Sequence, residues 1–248
     1  MRRHSIITED IVLQLVKVLR WATRFILVLY FWGVEKRAKA IERLLPQLEQ
    51  EGKLAVTWHK GEKVYSVARK KRVKPVSIEH EIACALILVL FLRCRMQESE
   101  IVPERAFRRF GIVPEGGIRY PEERNTMLIF EYCTRSNFTH GGVMKSKITR
   151  YMKYLPAMEA KFKRSITVLF VIDIDRSRVR EFVGTLKRDV GSVADGRTSA
   201  SSGGDSFPFN PFFFTDYKTF LSVPISEQMI SPIYFWIDGK EYPLKKDV

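Results

Sequence analysis

The chain has 248 residues, 46% hydrophobic and 28% charged, a globular composition with enough apolar material for one large or two small domains. Its formal net charge of +14 points to polyanionic partners, the alternative being a well-solvated basic surface. Cys84, Cys94 and Cys133, an odd number without a CxxC pair, exclude a disulfide framework and a cysteine zinc site.

The positive charge is concentrated. Residues 1–75 hold 17 Lys and Arg against 7 Asp and Glu, so most of the excess lies in less than a third of the chain. The opening MRRHS lacks the apolar run of a signal peptide. Segments 25–34 and 82–92 are about half as long as a spanning helix, which needs roughly 20 apolar residues. They read as buried helices, and a cytoplasmic protein without a membrane partner is expected.

Thr8-Glu9-Asp10 starts a first helix, with a capping hydroxyl followed by acids in the first turn. Ile11, Leu15, Val18 and Ala22 form its apolar face. Thr23 caps a second helix over 24–31, which Trp32-Gly33 breaks. A third helix follows, with the stripe Val34, Ala38, Ile41, Leu45 and Leu48. Lys36, Arg37, Lys39 and Arg43 lie on another side, and Pro46 is expected to kink or end the helix. Residues 54–58 (LAVTW) and 63–67 (KVYSV) are strands around the turn His59-Lys60-Gly61-Glu62.

Three helices and a ribbon make a winged helix-turn-helix over residues 1–70. Its third helix would enter the major groove of double-stranded DNA, with Lys60 and Lys63 placed at the ribbon tip. Lys36, Arg37, Lys39 and Arg43 are the candidate DNA contacts. A winged helix used for protein contacts is the alternative. A basic linker, 71–76, ends at Pro75 and Val76.

The second domain, 77–248, begins with a helix from Ser77 to about Met96. Strands follow at 118–120 and 127–134 (MLIFEYCT), in which Ile129, Glu131 and Cys133 share one face. Next come a helix over 143–163, an unbroken apolar strand at 165–173 (SITVLFVID) and a helix over 178–188. The order is that of an α/β sheet covered by helices, α+β for the whole chain. Residues 191–206, rich in Gly, Ser and Asp, read as a flexible loop. The aromatic patch 207–214 reads as core, with a contact surface as the alternative. Residues 217–221 form a short helix, and strands 233–237 and 240–243 flank Asp238-Gly239.

Glu115 precedes the first strand of the second domain, and Glu131 lies within the second. Their pairing brings two carboxylates to one sheet end, where they could hold Mg²⁺ or Mn²⁺, with Lys145 or Lys147 steadying developing charge. Two solvated acids are the alternative. His80 and His140 have no metal-ligand spacing, and Walker, GxGxxG and Ser-His-Asp patterns are absent.

The winged helix, Ile112-Val113-Pro114-Glu115-Gly116, Phe130-Glu131-Tyr132-Cys133-Thr134-Arg135, Lys147-Ile148-Thr149-Arg150-Tyr151, and Val171-Ile172-Asp173 with the arginines of 176–180 carry a resemblance. Over roughly residues 8–243 the chain resembles the replication-relaxation family of plasmid and integrative-element proteins. The resemblance implies a winged helix followed by a restriction-endonuclease-like PD-(D/E)xK domain. Two positions depart from it: Pro-Asp reads Pro114-Glu115, and the signature lysine reads Cys133.

The expectation is therefore a DNA-binding accessory protein of plasmid replication, relaxation or transfer, not an enzyme. The alternatives are a Mg²⁺- or Mn²⁺-dependent nuclease using Glu115, Glu131 and Lys147, and a module recruiting replication or transfer proteins. Oligomeric state is left open, a dimer included.

Overall fold

The computed structural model describes residues 7–31, 35–67, 78–95, 100–102, 104–119, 125–139, 142–195, 212–221, 234–237 and 240–243. The chain mixes helices and sheets and divides into two compact units, Met1–Pro103 and Glu104–Val248.

In the first unit, helix α1 (Glu9–Leu19) buries Val12, Leu15, Val16 and Leu19. This face shares only Leu15 with the expected one: Ile11 and Val18 are half-buried, and the helix ends at Arg20 (φ 65°), before Ala22, which is buried in a strand instead. Thr8 takes the capping backbone conformation without a side-chain bond; its carbonyl accepts the Val12 N–H at 3.2 Å. Ala22–Thr23 instead form a short strand, β1. Thr23 then caps α2 (Arg24–Tyr30), its hydroxyl accepting the Ile26 N–H at 3.3 Å, a contact worth about 1 kcal/mol.

Helix α3 (Glu35–Gln50) continues through Pro46. Proline removes one backbone bond, but Ile41, Leu45 and Leu48 are buried on either side of it and hold both halves to the same core. Gly52 ends the helix at φ 68°, and the Lys53 N–H returns to the Leu48 carbonyl at 2.9 Å.

Strands β2 (Leu54–His59) and β3 (Glu62–Val67) form a hairpin closed by Lys60 and Gly61, both at positive φ, as a two-residue turn matched to strand twist requires. Strand β1 pairs with β3, so the sheet order is β1-β3-β2. Helix α4 (Ile78–Arg95), expected to open the second domain, belongs to the first unit and packs on α1, α2 and β1. Its buried residues include Ala83, Cys84, Ile87 and Val89, and it needs those partners because it is apolar on most sides. Among the described residues no helix is long and apolar enough to cross a membrane. Strand β4 (Glu100–Val102) follows. The linker 71–76 lies outside the described residues.

The second unit opens with two 3₁₀ turns, Glu104–Ala106 and Arg108–Phe110. Strands β5 (Gly116–Arg119) and β6 (Thr126–Cys133) are antiparallel. Helices α5 (Arg135–Thr139) and α6 (Gly142–Phe162) lead to β7 (Ser165–Ile172), which is parallel to β6. Helix α7 (Arg176–Asp195) leads to β8 (Phe212–Asp216), parallel to β7. After α8 (Tyr217–Leu221), β9 (Tyr234–Ile237) and β10 (Lys240–Pro243) extend the sheet antiparallel. Within this unit the order is β10-β9-β8-β7-β6-β5.

Strands β6 and β7 are buried on both faces. Phe170 is the centre of the packing: Tyr151 lies edge-on at 6.2 Å and Phe214 stacks at 5.2 Å. The aromatic segment is thus core where it is described. Residues 191–195, expected to begin a loop, are the last turn of α7; 196–206 lie outside the described residues.

Gly116 sits opposite Phe130 in the β5–β6 register, and a Cβ there would lie 2.3 Å from the Phe130 ring. The ring is fully buried and has little room to retreat. Gly116→Ala is therefore expected to destabilise the protein by about 1–3 kcal/mol, read as a lower urea midpoint. Relief by Phe130→Leu in the same chain would assign the loss to this contact; an unchanged midpoint would refute it.

Candidate active site and nucleic-acid interface

The β5–β6 pairing sets the first site. Glu115 is anchored just ahead of β5, its N–H donating to the Phe130 carbonyl at 3.2 Å. That places it beside the next residue of β6, Glu131. Glu131 is 1% exposed, and a carboxylate so deep needs partners. Helix α6 supplies them from one turn: Lys147 Nζ lies 2.6 Å from Oε2, and the Tyr151 hydroxyl donates to Oε1 at 2.6 Å. Both side chains reach inward because i and i+4 share a helix face. Residues 111–113, Glu131, Lys147, Arg150 and Tyr151 wall a pocket of about 240 Å³.

Burial pushes the Glu131 carboxyl above the usual range. Lys147 and the Tyr151 bond pull it back, and repulsion from Glu115 adds to the rise. Burial would lower Lys147, but attraction to Glu131, with Cys133 and Glu115 adding to it, outweighs burial, so the ammonium holds its proton more tightly than usual. Tyr151 is raised strongly by burial and then by Glu131, which keeps its hydroxyl a donor. Burial pushes the Cys133 thiol up to about 12, and its Sγ sits 3.0 Å from Met144 Sδ. A neutral thiol brings no positive charge to the site; Lys147 brings it from α6 instead.

Of the residues proposed from the sequence, the structure brings Lys147 onto Glu131; Glu115 is close enough to repel Glu131 electrostatically but does not line the pocket. Lys145 is exposed, and it is Lys147 that meets Glu131. Arg150 and Tyr151 were not expected here. Their signal was the i, i+3, i+4 spacing from Lys147, masked because Tyr151 also fits the buried stripe Met144, Ile148, Leu155 and Met158. Each Glu131 oxygen receives one proton and keeps a second lone pair, so the residue that could hold a hard divalent cation in this pocket is Glu131, with Glu115 nearby but outside the pocket lining. Such a cation, Mg²⁺ or Mn²⁺, takes oxygen ligands of this kind. His80 is half-buried on α4, and His140 lies outside the described residues.

The second candidate surface is on the first unit. Lys39 and Arg43 are exposed on α3, opposite the buried stripe. Arg43 has no ion pair among the described residues, while Glu42 pairs with Arg24. The side chains of Lys36 and Arg37 lie outside the described residues, although α3 includes both positions. Lys60, 74% exposed at the hairpin tip, meets Glu79 of α4 at 2.6 Å.

Lys63 differs from expectation. Its Nζ reaches both Glu49 oxygens, at 2.8 and 3.1 Å, and this pairing raises its pKa. It is a strut from β3 to α3, because the β3 register points it at the helix. Above it, opposite in the register, lies Trp58, 65% exposed, with Lys63 Nζ 5.7 Å from the ring centre.

No family model, curated protein or solved structure matches the chain.

Proposed function

We propose that the chain is a double-stranded-DNA-binding protein whose first unit is a winged helix-turn-helix. The element order α1-β1-α2-α3-β2-β3 with sheet order β1-β3-β2 carries this reading. Helix α3 buries one stripe and leaves Lys39 and Arg43 outside for phosphates, with Lys36 and Arg37 in its first turn. The ribbon tip offers Lys60, whose pair with Glu79 is exposed and therefore weak enough for a phosphate to displace. The resemblance to replication-relaxation proteins supports placing this binding in plasmid replication, relaxation or transfer. A salt titration against duplex DNA tests it: affinity should fall steeply as salt rises. A folded protein that ignores duplex at low salt would leave the recruiting module as the better account.

The contact of Lys147 with Glu131 favours a second reading, metal-dependent cleavage of phosphodiesters by the second unit. An acid ahead of β5, an acid within β6 and a crossover by α6 into β7 support a restriction-endonuclease-like core. Glu115 and Glu131 would hold Mg²⁺ or Mn²⁺, which would polarise the phosphate and activate water. Lys147 and Arg150, lining the pocket, would bind and orient the phosphate. Supercoiled plasmid incubated with either ion should be nicked by the native chain and spared by Glu131→Gln. Intact plasmid with both proteins would leave binding as the whole function.

A further inference from the structure

An indole 65% open to water is an unusual thing for a small ribbon to maintain. Along β2 and β3, Leu54, Val56, Trp58, Lys63, Tyr65 and Val67 share one face. Leu54 and Tyr65 are buried on that face. Trp58 shares that face yet stands clear of the core, opposite Lys63, which is bonded to Glu49 of α3. The ring is not loose: Lys63 sits over it, and Lys63 is itself held by Glu49. Two residues further along, Lys60 projects from the turn. The result is an exposed aromatic platform with Lys63 against it and Lys60 two residues along the chain, each lysine paired with a glutamate, Glu49 and Glu79.

We propose that Trp58 is a stacking platform for an unpaired nucleobase, with Lys60 binding the adjoining phosphate. An aromatic face beside cations suits single-stranded nucleic acid, because every base offers a π face and every linkage a negative charge. The exposed Lys60–Glu79 pair beside it, weak enough for a phosphate to displace, favours this occupant over an apolar protein surface. Resting on the duplex-binding reading above, the inference deepens it: the preferred substrate is a junction of duplex and single strand, α3 holding the paired side and Trp58 the unpaired one.

The full chain would be titrated with a blunt duplex, with the same duplex carrying a single-stranded tail, and with the tail alone. The native protein should bind the tailed duplex about tenfold more tightly than the blunt one. Trp58→Ala should lose that preference and bind blunt duplex as before, while Trp58→Phe keeps most of it. Tryptophan fluorescence should fall when the native protein binds the tailed duplex, and the Trp58 part of that change should vanish in Trp58→Phe.

Equal affinity for tailed and blunt duplex would overturn the proposal. So would an equal loss on both in Trp58→Ala, or a variant that changes only self-association. Trp58-dependent binding of the tail without any duplex binding would uphold the platform and remove the duplex reading. Binding to none of the three would remove both.

Discussion

Lys147→Met is expected to cost the protein about 3 kcal/mol of stability at neutral pH, because it strands a buried carboxylate. Glu131 is almost without solvent, and after the change only Tyr151 would donate to it. Methionine fills similar space and returns no charge. The loss should depend on pH. Burial already raises the Glu131 pKa, and removing Lys147 removes what pulls it down most, so it rises further. A carboxyl raised in the folded state favours folding fully below its ordinary pKa and loses that contribution as pH rises through the folded value. The variant should therefore approach the native protein on acidification and fall behind as pH rises toward neutral. Urea unfolding at several pH values measures this. Adding Glu131→Gln should restore most of the loss, since a neutral amide can accept from Tyr151 without a counter-charge. A pH-independent loss, or none, would mean that the pair does not hold the site together.

Reversing Lys36, Lys39 and Arg43 to Glu together should weaken duplex binding about a hundredfold near physiological salt. The described cations of that set are exposed and lie away from the buried stripe of Ile41, Leu45 and Leu48, so the fold should survive. The slope of log affinity against log salt should flatten by about one for each phosphate that the variant no longer neutralises. Lys63 does not belong in this set, because it is committed to Glu49. Binding that keeps its strength and slope would move the interface off α3.

The pattern of the residues carries much of the architecture. The α3 stripe, the hairpin around Lys60-Gly61, the cap at Thr23 and the buried run of β7 all follow from local periodicity and turn chemistry, and each is present. Other features were not legible. Residues 212–216 (FFFTD) read as an aromatic core segment, and only the parallel register with β7 makes them a strand. Pro46 signals a helix end on its own, but burial at Leu45 and Leu48 overrides one missing hydrogen bond. The length of α4 says nothing of which unit it covers; its packing on α1, α2 and β1 decides that.

By itself, then, the sequence placed an acid ahead of one hairpin strand and another within the next, and an amphipathic basic helix ahead of a ribbon, because spacing along one chain sets which side chains share a face. Only the tertiary structure decided which cation meets Glu131, that Tyr151 shares it, that Lys63 is taken by Glu49, and that Trp58 stands in solvent. Those outcomes depend on which elements pack together, and the pairing of charges across elements 14 to 20 residues apart has no local signature.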